Sequence, residues 1–202
     1  VSRGAWLALV AAAVLGVGVL MWKGKDVVTL AQLRAVMPRL TEARAAELLP
    51  WLLAAMREAG VSTPARAAAF LAQLAHESGE LRYFEELASG AAYEGRADLG
   101  NTQPGDGVRY KGRGPIQLTG RANYRAAGTA LGLDLEGSPA RVATPAVGFR
   151  TAAWYWRSRG LNELADAGRF DDITRRVNGG LNGKAERDAY HAKARAVLGV
   201  TA

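Results

Sequence analysis

The chain has 202 residues, with 26 Lys and Arg against 19 Asp and Glu, 49% hydrophobic residues and no cysteine. That length suits one ordinary domain with a short appendage, and the missing cysteine excludes a disulfide scaffold, a thiolate nucleophile and Cys-ligated metal centres. A formal charge of +7 favours an acidic partner, whether nucleic acid, a membrane surface or an anionic wall polymer, and two histidines are too few for a His-rich metal site.

The first predicted element is apolar. Gly4 to Trp22 runs 19 residues without a charge, between Arg3 and the pair Lys23 and Lys25. As a helix this stretch spans ~28 Å, close to the hydrocarbon thickness of a bilayer. It is too long for the apolar region of a signal peptide, has no polar face to turn to water, and places Trp6 and Trp22 where interfacial aromatics lie. Residues 1–25 are therefore expected to be a membrane segment and 26–202 a separate domain. Eight of the 19 residues are Ala or Gly, so insertion is expected to be marginal. The flanking charges, taken literally, place the following domain in the cytoplasm.

From Lys23 onward the pattern is mostly helical. Apolar residues recur at three- and four-residue spacing over Val27 to Leu40 and Glu42 to Ala59, with Thr41 as N-cap, Gly60 as stop and Pro50 as a break or kink. Ser62-Thr63-Pro64 opens a helix carrying Phe70, Leu71, Leu74 and Ala75 to Gly79. Periodicity disappears between Ala88 and Gly114, a glycine-rich loop of a length associated with function. Pro115 to Thr119 reads as a short strand, followed by helices near Arg121 to Leu131, Pro145 to Arg159, Asn162 to Ala167, Phe170 to Val177 and Lys184 to Leu198.

His76-Glu77 lacks the second histidine of H-E-x-x-H, since Glu80 stands there, so no metal is expected. Glu77 itself lies beside the apolar stripe of its helix and in the last turn. Desolvation and the helix dipole there both favour a neutral carboxyl, which a general acid requires; the alternative is an acid paired with a nearby arginine. Glu80, Glu85, Glu86 and Glu94 follow as candidates for a second carboxylate that activates water, as in glycoside hydrolysis, and spacing does not choose among them. The stretch Tyr110-Lys111-Gly112-Arg113-Gly114-Pro115-Ile116-Gln117-Leu118-Thr119-Gly120, with Asn123-Tyr124, combines permissive glycines with amides, hydroxyls and rings suited to sugars. Its glycine order fits neither phosphate-binding fingerprint, which argues against nucleotides.

These motifs resemble glycoside hydrolase family 19, the chitinase-like lysozymes, including bacteriophage endolysins, from about Arg39 to Leu198. The helix F-L-A-Q-L-A-H-E-S-G resembles the family's catalytic-acid helix, which implies Glu77 as general acid. The base is implied nine residues on, at Glu86, with Glu85 beside it. The Y-K-G-R-G-P-I-Q-L-T-G segment and N-Y imply cleft roles for Tyr110, Gln117, Thr119, Asn123 and Tyr124, with the Thr119 hydroxyl helping to hold the attacking water. V-N-G-G and the later arginine imply Asn178 and Arg187 on the far wall. The resemblance implies a mainly α, lysozyme-like fold in two lobes with a small strand and loop region beside the cleft. It implies inverting hydrolysis of a β-1,4-linked amino-sugar polymer, with peptidoglycan glycan strands as partner, no cofactor, no nucleic acid and a monomeric state. The amino-terminal segment resembles a signal-anchor-release segment, which implies attachment at the inner membrane through residues 4–22 and later release to the periplasm. A lytic transglycosylase or a chitinase is the alternative enzyme, and an inactive wall- or nucleic-acid-binding module is the alternative from another class.

Overall fold

Nine consecutive residues, Ala67 to Ala75, are buried in the helix that opens at Thr63, and only a helix surrounded on every side does this. In the computed structural model, which describes residues 26–201, that helix is the centre of the molecule. Nine α-helices are present among the described residues: α1 (Leu30–Val36), α2 (Glu42–Ala59), α3 (Pro64–Glu77), α4 (Asp106–Arg109), α5 (Arg121–Leu131), α6 (Pro145–Ser158), α7 (Leu161–Asp166), α8 (Phe170–Asn178) and α9 (Lys184–Leu198). Three short 3-10 turns, Ala91–Tyr93, Ala97–Leu99 and Pro139–Ala143, complete the set. None of the described helices is long and apolar enough to cross a membrane. The proposed membrane segment lies outside the described residues.

Small side chains explain how α3 is enclosed. Alanines at 67, 68, 69, 72 and 75 let neighbours approach its axis, and Phe70 fills the remaining space by meeting Trp156 of α6 edge-on, with ring centroids 5.0 Å apart. Helix α9 packs along α3, α2 packs against α6, and α1 sits against both α9 and α2. The caps follow the sequence. Thr29, Thr41 and Thr63 each accept a backbone hydrogen bond in the first turn of α1, α2 and α3, while Gly60 closes α2 in the left-handed conformation.

Two expectations are corrected. Pro50 does not end its helix: α2 runs unbroken from Glu42 to Ala59. Proline deprives the Ala46 carbonyl of its donor, but Pro50 and Ala46 are both exposed, so water replaces the bond. Pro115 to Thr119 is not a strand. Gly114 and Gln117 both have positive φ, which folds residues 114–117 into a turn closed by reciprocal backbone bonds between Arg113 and Leu118 (3.1 and 2.8 Å). Among the described residues the β-structure consists of isolated bridges, Glu85 to Arg113 and Arg113 to Leu118.

Candidate active site

Glu77 is the last residue of α3, and the chain turns sharply after it. Ser78 accepts the Leu81 N–H (2.8 Å) and donates to the Leu74 carbonyl (2.6 Å), while Gly79, Glu80 and Leu81 are all left-handed. Such a conformation is unfavourable for Glu80 and Leu81 and is held by other contacts. The buried Glu80 carboxylate accepts from Arg39 N (2.6 Å), Arg39 Nε (2.8 Å) and the Tyr190 hydroxyl (2.8 Å). Glu80 is thus a fastener of the turn that presents Glu77.

A second network fixes the Glu77 carboxyl. Arg187 of α9 is 1% exposed; its Nη2 donates to Glu77 Oε1 at 2.5 Å, its Nη1 donates to Gln73, and its Nε donates to the Asn182 carbonyl at 3.3 Å. Gln73, also buried, donates to Thr174 of α8 at 3.0 Å. The pairing with an arginine is the alternative left open by the sequence. It engages Oε1, and among the described residues nothing donates to Oε2.

The other acids separate by partner. Glu86 Oε1 accepts from the Tyr93 hydroxyl (2.9 Å) and Oε2 from the Gly112 N–H (3.0 Å). Burial and the Glu86 carboxylate push the Tyr93 phenol up to about 12, so it is a proton donor at any ordinary pH. Glu85 faces away toward Arg113 (3.1 Å) and Lys111 (3.3 Å); burial opposes its charge, yet these cations hold its carboxyl below the usual range. Glu94 accepts the Gly105 and Gly107 N–H groups (2.6 and 2.8 Å) and caps the loop.

Glu77 and Glu86 line one cleft of about 550 Å³, together with Gln117, Thr119, Asn123 and Asn178. Thr119 Oγ1 donates to the Gln117 carbonyl (2.9 Å), leaving its lone pairs free, and Asn123 Nδ2 donates to the Thr119 carbonyl (2.8 Å). Gly112 keeps these side chains close: a Cβ there would lie 2.7 Å from Gln117 Oε1, 3.2 Å from Glu86 Oε2 and 3.4 Å from Thr119 Oγ1, so a larger residue would push the Gln117 side chain aside.

Three expected cleft residues stand behind the wall instead. Tyr110 and Tyr124 are buried with their rings 5.4 Å apart. The Tyr110 hydroxyl donates to the Glu136 carbonyl (3.1 Å), and that of Tyr124 donates to the Lys111 carbonyl (2.8 Å) and accepts from Arg113. Desolvation pushes the Tyr124 phenol up to about 12. Both rings back the 110–120 turn from the buried side. Arg187 likewise reaches the site only through Glu77. Sequence reading missed Tyr93, Arg96, Asp98, Tyr155, Arg159 and Arg176 of the cleft lining. Only a pairing of Tyr93 with an acid seven residues earlier could have marked it. Among the described residues no cluster of His, Asp or Glu could hold a metal.

A mainly helical domain with two unlike carboxyls on one open cleft is the architecture of a glycoside hydrolase. A family model for chitinase class I, of glycosyl hydrolase family 19, matches residues 54–165. The chain belongs to that family and is a chitinase-like glycoside hydrolase. A glycosyl hydrolase family 19 domain-containing protein of Haemophilus influenzae is 35% identical over 166 residues, covering 66% of this chain and 80% of that protein. An Arabidopsis thaliana endochitinase is 46% identical over 114 residues, but the chain spans only 39% of its length. Among solved structures, chitinase C of Streptomyces griseus superposes with a TM-score of 0.72 at 30% identity, over 89% of this chain and 96% of that one.

Proposed function

We propose that the chain hydrolyses the β-1,4-linked glycan backbone of bacterial peptidoglycan with inversion, as an endolysin. The observation that carries the chemistry is the pair Glu77 and Glu86 on one cleft, each held by different groups. Glu77, protonated on Oε2, gives its proton to the glycosidic oxygen as the bond to the anomeric carbon breaks. Glu86 takes a proton from a water that attacks the same carbon from the other face, and Thr119 helps to orient that water. Each turnover leaves Glu77 ionised and Glu86 protonated, and exchange with solvent restores both. Arg187 keeps the Glu77 carboxyl aimed, and the Tyr93 hydroxyl and Gly112 N–H hold the Glu86 carboxylate in place.

The peptidoglycan reading is supported by the absence of cysteine and the apolar run at residues 4–22. That run, read as a signal-anchor-release segment, would hold the enzyme at the inner membrane before release to the periplasm. Hydrolysis of chitin is the second reading, favoured by the chitinases among the relatives. Mass spectrometry of digested sacculi and of chitin oligosaccharides, with proton NMR of the fresh products for anomeric configuration, tests both. The expected products from sacculi are reducing ends of α configuration, absent in Glu77→Gln. Anhydro-sugar ends would exclude hydrolysis in favour of a transglycosylase, and cleavage of chitin alone would exclude the peptidoglycan reading.

A further inference from the structure

Arg159 is the C-cap of α6 and lines the cleft half-buried. Its guanidinium lies 3.5 Å over the Tyr155 ring and 5.7 Å from that of Trp154. Its hydrogen bonds are long, Nη2 to Asn123 Oδ1 at 3.3 Å and Nη1 to Ser158 Oγ at 3.4 Å. No carboxylate among the described residues pairs with it. Two neighbouring cations differ: Arg96 of the cleft is paired with Asp98, and Arg187 behind the wall is paired with Glu77. Arg39, Arg66 and Arg121 are held above the ordinary arginine value by carboxylates, whereas burial pushes Arg159 below it. Arg176 adds a second unpaired cation on the same wall, its Nη1 donating to the Arg159 carbonyl at 2.5 Å.

A partly desolvated guanidinium without a counter-charge is unfavourable unless its partner arrives from outside. One face of this group is stacked and its edge carries donors in the fork geometry that matches a carboxylate. We propose that Arg159, with Arg176 beside it, reads a carboxylate on the glycan, so that this wall selects acidic muramyl units over uncharged chitin. The inference rests on the peptidoglycan reading above. Chitin carries only neutral acetamides and hydroxyls, whereas a muramyl sugar carries a lactyl ether whose acid is either free or extended by an acidic stem peptide. The position suits a sugar at the cleavage point, because Asn123 joins Arg159 to the Thr119 carbonyl.

The test is calorimetric binding in the Glu77→Gln background, comparing Arg159 with Arg159→Gln and Arg159→Lys. Three probes are used: chitotetraose, a denuded peptidoglycan tetrasaccharide with free lactyl acids, and the same tetrasaccharide carrying stem peptides. The expected result is a preference for a carboxylate-bearing probe of about tenfold, the ratio worth one charge-assisted hydrogen bond pair. Arg159→Gln should erase that preference and Arg159→Lys should keep part of it. The denuded and peptide-bearing arms identify which carboxylate is read. A preference unchanged in Arg159→Gln, or a parent protein that favours chitotetraose, would overturn the proposal. Cleavage of sacculi by the enzyme with Glu77 intact, alongside an unchanged preference in Arg159→Gln, overturns the role of Arg159 alone, whereas failure of that enzyme to cleave sacculi overturns the peptidoglycan reading itself.

Discussion

Glu85 and Glu86 are neighbours in sequence and face opposite environments, and the cause is local. Residues 84–86 are extended against Gly112–Gly114, with Gly114 N donating to Phe84 O and Glu86 N to Gly112 O, both at 2.9 Å. Alternation along an extended chain then sends Phe84 inward onto Phe149, Glu85 out to Lys111 and Arg113, and Glu86 to the cleft. Glu86→Gln should therefore lower kcat by about 10²–10⁴-fold, the usual worth of general base catalysis, without changing the fold. Glu85→Gln should leave kcat within about threefold, since its half-exposed carboxylate faces Lys111 and Arg113 rather than the cleft. Steady-state assays on one soluble oligosaccharide decide it, and a reversed pattern would reassign the base. Four acids were legible in the sequence, but the choice among them was not. It depends on a bridge to a segment well over twenty residues away, and no local spacing encodes that pairing.

At the scale of elements, the helices were legible wherever a cap and an apolar stripe coincided. Arg121 to Leu131 and Lys184 to Leu198 match their expected bounds, and Thr41 and Gly60 delimit α2 as read. What escaped were short elements inside the glycine-rich loop, α4 and two 3-10 turns, which are too brief to show a period. Pro50 escaped for a different reason: its penalty is real but overridden, because Ala45, Leu48, Leu52, Ala55 and Met56 bury the opposite face of α2. Pro50→Ala should restore a backbone bond on the exposed face and stabilise the domain by about 1–3 kcal/mol, at most the intrinsic proline penalty. Urea denaturation would show a higher midpoint at constant slope. A lower midpoint would mean that proline's restriction of the unfolded chain outweighs the missing bond.

The whole molecule is basic, and because Arg3, Lys23 and Lys25 precede the domain, residues 26–202 keep 23 Lys and Arg against 19 Asp and Glu, a charge of +4 that still favours an anionic envelope. Its stability at low pH depends on a different feature, the closure of α9 on α8. His191 of α9 stacks on Phe170 of α8, centroids 3.9 Å apart and planes within 11°. Burial, aided by Arg195 and opposed by Asp188, lowers the imidazole to about 4. An unfolded chain protonates the same group near 6.5, so between these values the unfolded state binds the extra proton. Stability should accordingly be complete above about pH 6.5 and fall as pH drops toward 4. The Glu136 carboxyl, which Arg125 and Arg121 hold down to about 2, acts in a lower window. Its contribution is present above 4.5 and lost only as pH falls toward 2, so the two effects are separable. His191→Phe keeps an aromatic stack and removes the proton site. Denaturation midpoints taken from pH 7.5 to 4.5 should decline in the parent protein and flatten in that variant. An equal decline in both would place the acid sensitivity elsewhere.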